Sequence, residues 1–272
     1  MPHEIALIGY GEAGSTFAQA AGWGVRASGW DVLSERRDVL RADGLIAAAS
    51  AGEALANAPL VLSLVTADRA FGAARDYAAL LAAGAIWCDM NSVAPDTKRA
   101  AAEVVEAAGG RYVDVAVLAP VNPAQMAVPL LLSGKAADQA EALLRAAGFT
   151  NIRVTGHDVG RASAIKMIRS VLIKGIEALT AEMVLAADAA GVTDEVLASL
   201  DASEKQIPWR ARAEYNIERM ATHGLRRAAE MEESAKTLSA LGIEPVMTLG
   251  TIQRQREMAG RGCAELVKRK KP

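Results

Sequence analysis

A short apolar run that leads directly into a glycine-rich turn constrains the fold of this chain more than any other stretch. Residues 4–8 have the composition of a β-strand, and residues 9–14 follow with the spacing G-x-G-x-x-G before a helix-forming segment. Gly9 permits a tight turn, Gly11 leaves the backbone open to a pyrophosphate, and Gly14 allows close helix–strand packing. The helix N-terminus adds free N–H groups and a positive dipole end. This stretch predicts a dinucleotide-binding turn.

An acidic residue at the expected distance supports this interpretation, because a lone G-x-G-x-x-G is a weak signal. Residues 25–30 are expected to form the second strand, and Asp31 ends it, 17 residues after Gly14. An acid there accepts hydrogen bonds from ribose hydroxyls and repels a 2′-phosphate. Arg36 and Arg37 follow and could hold a phosphate. The sequence therefore predicts NAD or NADP, with NAD favoured.

The length and composition bound the remaining possibilities. At 272 residues with 51% hydrophobic content, the chain is near the size at which one core divides into two domains. A net charge of −2 gives no basic field for nucleic acid. Cys88 and Cys263 do not suggest a disulfide framework and fit a reducing cytoplasm. No leader peptide or membrane span is expected.

Strands and helices alternate through the first part of the chain. We expect strands at residues 4–8, 25–30, 45–48, 60–65, 85–89, 112–117, 128–133 and 152–154, with a polar loop at 34–38. This alternation predicts a largely parallel sheet covered by helices on both faces. The fold class is α/β: a Rossmann-type, doubly wound N-terminal domain at 1–157 and an all-helical substrate and dimerisation domain at 158–272.

The second part lacks strand signals. Residues 161–190 contain no proline and have strong helical periodicity, which predicts a helix of about 45 Å between the domains. Further helices are expected at 194–200, 209–220, 226–241 and 245–258. The basic segment 267–272 has the composition of a solvated, disordered end.

The expected binding site follows from the sheet. In an open parallel sheet the ligand lies beyond the carboxyl ends of the strands. This selects the glycine turn, Val65–Thr66, Asn91–Ser92 and residues 118–122. Ordinary turn chemistry is the alternative for Thr66, Asn91 and Ser92.

One stripe of the long helix supplies a candidate acid–base group. Polar residues recur along it at spacings of three and four, so they share one face. A solvated face is one interpretation; the other places Lys166 in a desolvated junction beside Arg169, where it could exchange a proton near neutrality. The histidines and Cys88 show no spacing for metal or nucleophile chemistry, and no metal is expected. The stripe comprises Ser163, Lys166, Ser170, Lys174 and Glu177.

The chain resembles the β-hydroxyacid dehydrogenase superfamily, which includes 3-hydroxyisobutyrate and 6-phosphogluconate dehydrogenases. Its helical half resembles the branch with a phosphogluconate-dehydrogenase-like C-terminal domain of unassigned function. The segments that carry the likeness are residues 9–14, 89–95, 114–117 and 160–166.

The resemblance implies a mechanism and a set of residues. Lys166, at the family's catalytic lysine position, would take the substrate hydroxyl proton as hydride passes to nicotinamide. A second subunit would pack on the long helix, giving a homodimer. The implied cofactor residues are Gly9, Tyr10, Gly11, Glu12, Ala13, Gly14, Asp31, Val65, Thr66 and Asn91, and the implied substrate residues are Ser92, Leu118, Ala119, Pro120, Ser163, Ser170, His223 and Arg226.

Departures from the family pattern bear on the substrate. Leu118-Ala119-Pro120 stands where the family has a Ser-Gly-Gly loop, and Pro120 lacks the N–H that would bind a carboxylate. Ser170 replaces an asparagine, and His223 or Arg226 stands near a later family lysine. We therefore expect a bulkier or differently charged substrate than a short β-hydroxyacid.

Other functions remain open from the sequence. The main alternatives are an oxidative decarboxylase of the 6-phosphogluconate type and a non-catalytic dinucleotide sensor, which would not need Lys166. A methyltransferase also uses a glycine-rich turn, but the helical second half argues against it. Imine reduction is disfavoured by the retained lysine.

Overall fold

The chain divides into two compact units, with the division inside one long helix. The structure is a computed structural model that describes residues 3–203, 208–240 and 244–261. The first unit ends at Lys166 and the second begins at Met167. The boundary expected from the sequence, between 157 and 158, lies just before this helix and stays a prediction.

The first unit is built on one eight-stranded sheet. Its order is β3-β2-β1-β4-β5-β6-β7-β8, and neighbouring strands run parallel except β6 and β7. The predicted largely parallel sheet is thereby confirmed. The strands are β1 (Ile5–Ile8), β2 (Ala27–Trp30), β3 (Ile46–Ala47), β4 (Leu60–Ser63), β5 (Ile86–Asp89), β6 (Arg111–Val117), β7 (Leu130–Ser133) and β8 (Ile152–Gly156).

The central strands are buried on both faces. Every residue of β1, β4 and β5 is buried, which explains their nearly continuous apolar sequences. Alternate side chains enter two hydrophobic clusters: Leu7 and Leu62 belong to one, and Ala6 and Val61 to the other. Burial on both faces fixes the register of these strands.

Helices cover the sheet, and one replaces a predicted loop. They are α1 (Glu12–Ala21), α2 (Ser34–Ala42), α3 (Ala51–Leu55), α4 (Ala70–Tyr77), α5 (Pro95–Ala107) and α6 (Ala137–Ala146). The polar loop expected at 34–38 is wrong, since α2 begins at Ser34. Its polar residues are solvated, Leu40 anchors it, and Glu35 and Arg41 suit the helix dipole.

The capping pattern at residues 50–53 behaves as its sequence indicates. Ser50 Oγ accepts a hydrogen bond from Glu53 N at 3.2 Å, and Glu53 Oε2 accepts one from Ala49 N at 2.7 Å. The two bonds satisfy backbone N–H groups at the N-terminus of α3 and stabilise its first turn.

The second unit is helical. Its elements are α7 (Arg161–Ala190, which starts in the first unit), α8 (Thr193–Ser203), α9 (Trp209–Ala240) and α10 (Val246–Met258). The predicted break between 220 and 226 is wrong, because α9 is continuous through Gly224. A Cβ at Gly224 would collide with the backbone oxygen of Gln255, so glycine allows α9 and α10 to pack closely. Residue 241 and the basic segment 267–272 lie outside the described residues.

No helix among the described residues is both long enough and apolar enough to cross a membrane.

Candidate functional site

The carboxyl ends of the central strands lie at one level of the sheet. Ile8 is in register with Ser63, Ser63 with Asp89, and Asp89 with Asp114. The segments that follow β1, β4 and β5 therefore leave the sheet at the same edge. Since strands are about 4.8 Å apart, the turns after β1 and β5 are separated by about 10 Å. The predicted convergence of these segments is present.

Gly9 and Gly14 are required by close packing. Gly9 has φ +90°, and a Cβ there would lie 2.6 Å from the Leu64 backbone oxygen. A Cβ at Gly14 would lie 3.2 Å from the backbone oxygen of Gly9. These contacts hold the turn against β4 and against the start of α1.

The absence of a side chain at Gly11 is not required by packing within the protein. Gly11 precedes α1 in an extended conformation, and a Cβ built on it would meet no atom within 4 Å. No side chain caps the first turn of α1. The turn therefore offers open space above Gly11 and backbone N–H groups, and both features fit the pyrophosphate of a dinucleotide. Glu12 and Ala13 form the start of this helix.

Asp31 is bonded directly to the glycine turn. Its Oδ2 accepts a hydrogen bond from Tyr10 N at 2.7 Å, and its Oδ1 accepts one from Leu33 N at 2.9 Å. The carboxylate thus joins the ends of β1 and β2, where a ribose would be held. The Tyr10 ring is fully buried and its hydroxyl donates to Asp43 Oδ2 at 2.7 Å. Burial raises the pKa of this hydroxyl.

The two arginines after β2 have different environments. The Arg37 guanidinium lies 4.6 Å from the centre of the Trp30 ring, and its Nη1 donates to the Asp31 backbone oxygen at 2.6 Å. Arg36 is exposed. Both cations are near the end of β2, where they would meet a 2′-phosphate, so the charges there do not exclude either form of the cofactor.

Val65 and Thr66 follow β4 at the same edge. Val65 packs on the glycine turn, since its Cγ1 lies 3.0 Å from the Cβ position of Gly9. Thr66 is exposed and precedes a short 3₁₀ turn.

Asn91 is buried, and one acceptor of its side chain has no hydrogen-bond partner among the described residues. Its Nδ2 donates to Asp89 Oδ1 at 2.7 Å and to Ser63 Oγ at 3.0 Å, and its backbone N–H donates to the same Asp89 oxygen at 3.0 Å. Its Oδ1 accepts no hydrogen bond from the described residues. A buried acceptor of this kind needs a donor, and the amide of a nicotinamide is one that fits.

Lys166 reaches the segment after β5. Its Nζ donates a hydrogen bond to Ser92 Oγ, and both side chains are half-buried. The two residues lie 74 positions apart in the chain, so only the fold brings them together. An amine and a hydroxyl in contact at this edge form a group that can carry a proton.

The first turn of α7 is held by a buried carboxylate. Asp114 Oδ2 accepts hydrogen bonds from Ser163 N and Ser163 Oγ, both at 2.9 Å. Ser133 Oγ accepts one from Ala162 N at 3.0 Å and donates to Asp114 Oδ2 at 3.2 Å. The Ser163 hydroxyl, expected at the substrate, thus serves the helix start and sets the direction of α7.

A buried lysine that sequence analysis missed joins two carboxylates. Lys98 is fully buried; its Nζ donates to the Asp89 backbone oxygen at 2.6 Å and lies 3.0 Å from Asp89 Oδ1 and 3.5 Å from Asp114 Oδ1. Tyr112 donates its hydroxyl to Asp89 Oδ2 at 2.6 Å. Burial, together with the nearby carboxylates, raises the pKa of Tyr112, so this hydroxyl remains a donor.

A signal for this cluster exists in the sequence. Asp89 and Asp114 stand in apolar strand sequences, where an acid requires a partner. Lys98 lies on the same helical face as Ala101, Ala102 and Val105, which are all buried.

The loop expected to hold a substrate carboxylate begins with an apolar residue that packs on the protein. Leu118 packs on a cluster that contains Leu131 and Ala162, at the start of α7. Ala119 and Pro120 are exposed. The loop therefore offers neither a hydroxyl group at Leu118 nor a backbone N–H at Pro120 for a substrate carboxylate.

The remaining predicted substrate residues lie in the second unit. Ser170 is buried, His223 is half-buried, and Arg226 is exposed and paired with Glu230. Their roles at a substrate stay predictions.

Four of the five residues of the polar stripe of α7 are buried and Lys166 is half-buried, so the interpretation of the stripe as a solvated face is wrong. Within the second unit Lys174 Nζ lies 2.8 Å from Glu230 Oε2, and Glu177 pairs with Arg227. Both pairs join α7 to α9.

Cys88 is buried and His157 is exposed. Burial raises the pKa of the Cys88 thiol, so it stays protonated. His157 is exposed beside Asp138. Among the described residues no three His, Cys, Asp or Glu side chains are grouped to hold a metal ion. Cys263 lies outside the described residues.

Comparison with protein families gives two matches. Residues 4–156 match the model described as the NAD binding domain of 6-phosphogluconate dehydrogenase. Residues 187–258 match a domain of unknown function, DUF1932.

Comparison with individual proteins extends the likeness over nearly the whole chain. A conserved hypothetical protein from Sinorhizobium meliloti 1021 is 35% identical, with 94% of this chain and 88% of that chain covered and a TM-score of 0.73. An uncharacterized 28.5 kDa protein in the 7S RNA 5′ region of Methanothermus fervidus is 26% identical over 89% of this chain and 94% of its own. The Mycobacterium tuberculosis 3-hydroxyisobutyrate dehydrogenase shares the fold, with 17% identity, 98% coverage of both chains and a TM-score of 0.79.

Proposed function

We propose a function from one premise: the chain belongs to the family described as the NAD binding domain of 6-phosphogluconate dehydrogenase. With its C-terminal DUF1932 domain it is a member of the β-hydroxyacid dehydrogenase superfamily and an NAD(P)-binding oxidoreductase. The proposal is that it transfers hydride between nicotinamide and the carbinol or carbonyl carbon of a hydroxy acid-type substrate.

The observation that carries the proposal is the hydrogen bond between Lys166 Nζ and Ser92 Oγ. It brings an amine to the sheet edge where Gly11 leaves room for a pyrophosphate. Asn91 Oδ1 supplies a buried acceptor in the adjacent position. A proton carrier and a dinucleotide cradle at one edge are the two parts that this reaction needs.

The chain's own residues have separate tasks in this reaction. Bound nicotinamide would supply the hydride acceptor or donor. Lys166 accepts the substrate hydroxyl proton during oxidation and returns it during reduction, while Ser92 orients the amine. Asn91 holds the carboxamide side of the cofactor, and the N–H groups of the glycine turn hold its pyrophosphate.

A substitution at Lys166 tests the role of the amine. We expect Lys166→Met to lower kcat by about 10²–10⁴-fold, the range for a lost general acid–base group. Cofactor affinity should stay unchanged, because the glycine turn is intact. Lys135→Met is the matched control, since Lys135 is 83% exposed and distant in sequence from the site residues. Turnover by Lys166→Met at the rate of the control would refute the acid–base role of Lys166, whereas cofactor binding by wild type without turnover of any substrate would favour the sensor alternative.

The substrate class is tested by assaying a panel of hydroxy acids with NAD and with NADP. The rate is measured from the absorbance of the reduced nicotinamide. A loop of Leu118, Ala119 and Pro120, which has no hydroxyl group and lacks one backbone N–H, supports a substrate bulkier or differently charged than a short β-hydroxyacid. A strong preference for 3-hydroxyisobutyrate would contradict this part of the proposal. Release of carbon dioxide alongside the reduced cofactor would support the decarboxylase alternative.

We also propose a homodimer formed through the helical domain. Four apolar side chains recur on one face of α7 at spacings of four, four and three, and all are exposed in the single chain: Ile168, Leu172, Ile176 and Leu179. An apolar stripe of this length is typical of an interface. Light scattering should give twice the chain mass at micromolar concentration; a monomer mass would refute the dimer.

A further inference from the structure

The two segments that carry the reacting groups are each fixed by a buried carboxylate. Asp89 accepts hydrogen bonds from the backbone and side-chain amides of Asn91, which precedes Ser92. Asp114 accepts hydrogen bonds from Ser163, which lies three residues before Lys166 in the first turns of α7. The position of the proton carrier thus depends on the positions of both carboxylates.

A single buried cation spans these carboxylates. Lys98 contacts Asp89 through its backbone and side-chain oxygens at 2.6 and 3.0 Å, and it lies 3.5 Å from Asp114 Oδ1. That Asp114 oxygen accepts no hydrogen bond within the described part of the chain, so the ion pair is what offsets its burial. All three side chains are at most 1% exposed, so bulk water does not screen the carboxylates from each other or from the ammonium group.

We propose that Lys98 is a positioning residue for the proposed proton transfer. Its ammonium group holds β5 and β6 at a fixed separation through Asp89 and Asp114, and those carboxylates set where Ser92 and Lys166 meet. The contacts are continuous. Lys98 contacts Asp89, which holds the Asn91–Ser92 segment, and Ser92 contacts Lys166. Lys166 follows Ser163 on α7, and Ser163 is held by Asp114, the second partner of Lys98. The inference rests on the proposed function, since it assigns Lys98 to the same site.

Removal of the Lys98 ammonium group should displace the two turns that Asp89 and Asp114 hold. Lys98→Met preserves much of the side-chain volume but leaves two carboxylates buried without their shared cation, an arrangement that is strongly unfavourable. The carboxylates must then separate or take up a proton, and the turns that they hold must shift. A displacement of about 1 Å at reacting groups can lower turnover about 100-fold.

The test uses the full chain and compares Lys98→Met with the exposed-lysine control Lys135→Met. Lys98→Met is expected to reduce kcat about 100-fold, whereas the dissociation constant for the reduced cofactor should change much less, because the glycine turn that holds the pyrophosphate is intact. Amide hydrogen exchange should become faster at Asn91, Ala162 and Ser163, and protection in β1 and β4 should be retained. This exchange readout needs no substrate.

A charge-balanced double variant separates positioning from simple loss of packing. Lys98→Met with Asp114→Asn removes one charge of each sign, and the asparagine carbonyl can still accept from Ser163. We expect this variant to recover turnover and exchange protection relative to Lys98→Met alone. If Lys98→Met does not fold, the double variant is compared with wild type: it lacks the ammonium group between Asp89 and residue 114, so a lower kcat and faster exchange at Asn91 and Ser163 are expected, and wild-type values of both would overturn the inference.

Three results would overturn the inference. They are wild-type kcat and exchange in Lys98→Met, a double variant no better than the single one, and exchange that rises uniformly through the first unit. Lys166→Met separates this failure from failure of the proposed function: if Lys166→Met is inactive while Lys98→Met turns over normally, only the role of Lys98 is refuted. If Lys166→Met turns over normally, the proposed acid–base role of Lys166 fails, and the positioning role of Lys98 fails with it.

Discussion

Alanine substitution should affect different properties at two glycines of the turn after β1: cofactor binding at Gly11 and the stability of the fold at Gly9. Gly11→Ala adds a methyl group to an extended residue, in a space with no atom within 4 Å. Gly9→Ala adds it at φ +90°, 2.6 Å from the Leu64 backbone oxygen. The first change should impair cofactor binding without harming the fold, and the second should destabilise the fold itself.

The magnitudes follow from this geometry. For Gly9→Ala, a left-handed conformation costs about 1–2 kcal/mol and the collision about 1–3 kcal/mol, or about 2–5 kcal/mol in all. This corresponds to a fall in Tm of about 4–20 °C. For Gly11→Ala we expect the free energy of unfolding to change by less than about 1 kcal/mol. A methyl group that breaks one amide–phosphate hydrogen bond should weaken cofactor binding about 10- to 100-fold.

The assay combines thermal melting with titration of NADH and NADPH by fluorescence. Gly72→Ala is the matched control, because its added Cβ also meets no atom within 4 Å and it lies in α4, outside the glycine turn. If Gly11→Ala bound both cofactors as tightly as Gly72→Ala does, the pyrophosphate would not approach this turn. If Gly9→Ala melted like wild type, the packing argument for Gly9 would be wrong.

Three further outcomes can be checked in the same preparations. Tyr10→Phe removes the hydrogen bond to the Asp43 carboxylate and should lower the free energy of unfolding by about 1.5 kcal/mol; an unchanged denaturant midpoint would contradict this. Cys88 should resist iodoacetamide in the native protein between neutral and mildly alkaline pH, since burial raises the pKa of its thiol. Rapid labelling of Cys88, detected by mass spectrometry, would contradict its burial. Ser50→Ala should cost about 1 kcal/mol through the lost cap on α3, whereas Ser34→Ala, which removes no helix cap, should melt like wild type.

Local patterns were sufficient to predict most of the elements. The apolar run and glycine turn predicted β1 and α1, and the absence of proline with helical periodicity predicted α7 with its observed bounds. These features depend on neighbouring residues, which a sequence displays directly. The wrong break between 220 and 226 has a tertiary explanation: Gly224, which lies within it, has no side chain, and this lets α10 pack against a continuous α9.

The amino-acid sequence by itself determined the Rossmann-type unit, the glycine turn, the acid at the end of β2 and the long helix, because each follows from spacing within a short segment. Only the tertiary structure decided that Lys166 bonds to Ser92, and that Lys98 joins two buried carboxylates. The reason is that burial and strand register bring together groups far apart in the chain. Whether a charged side chain is solvated or enclosed depends on packing that no local pattern records.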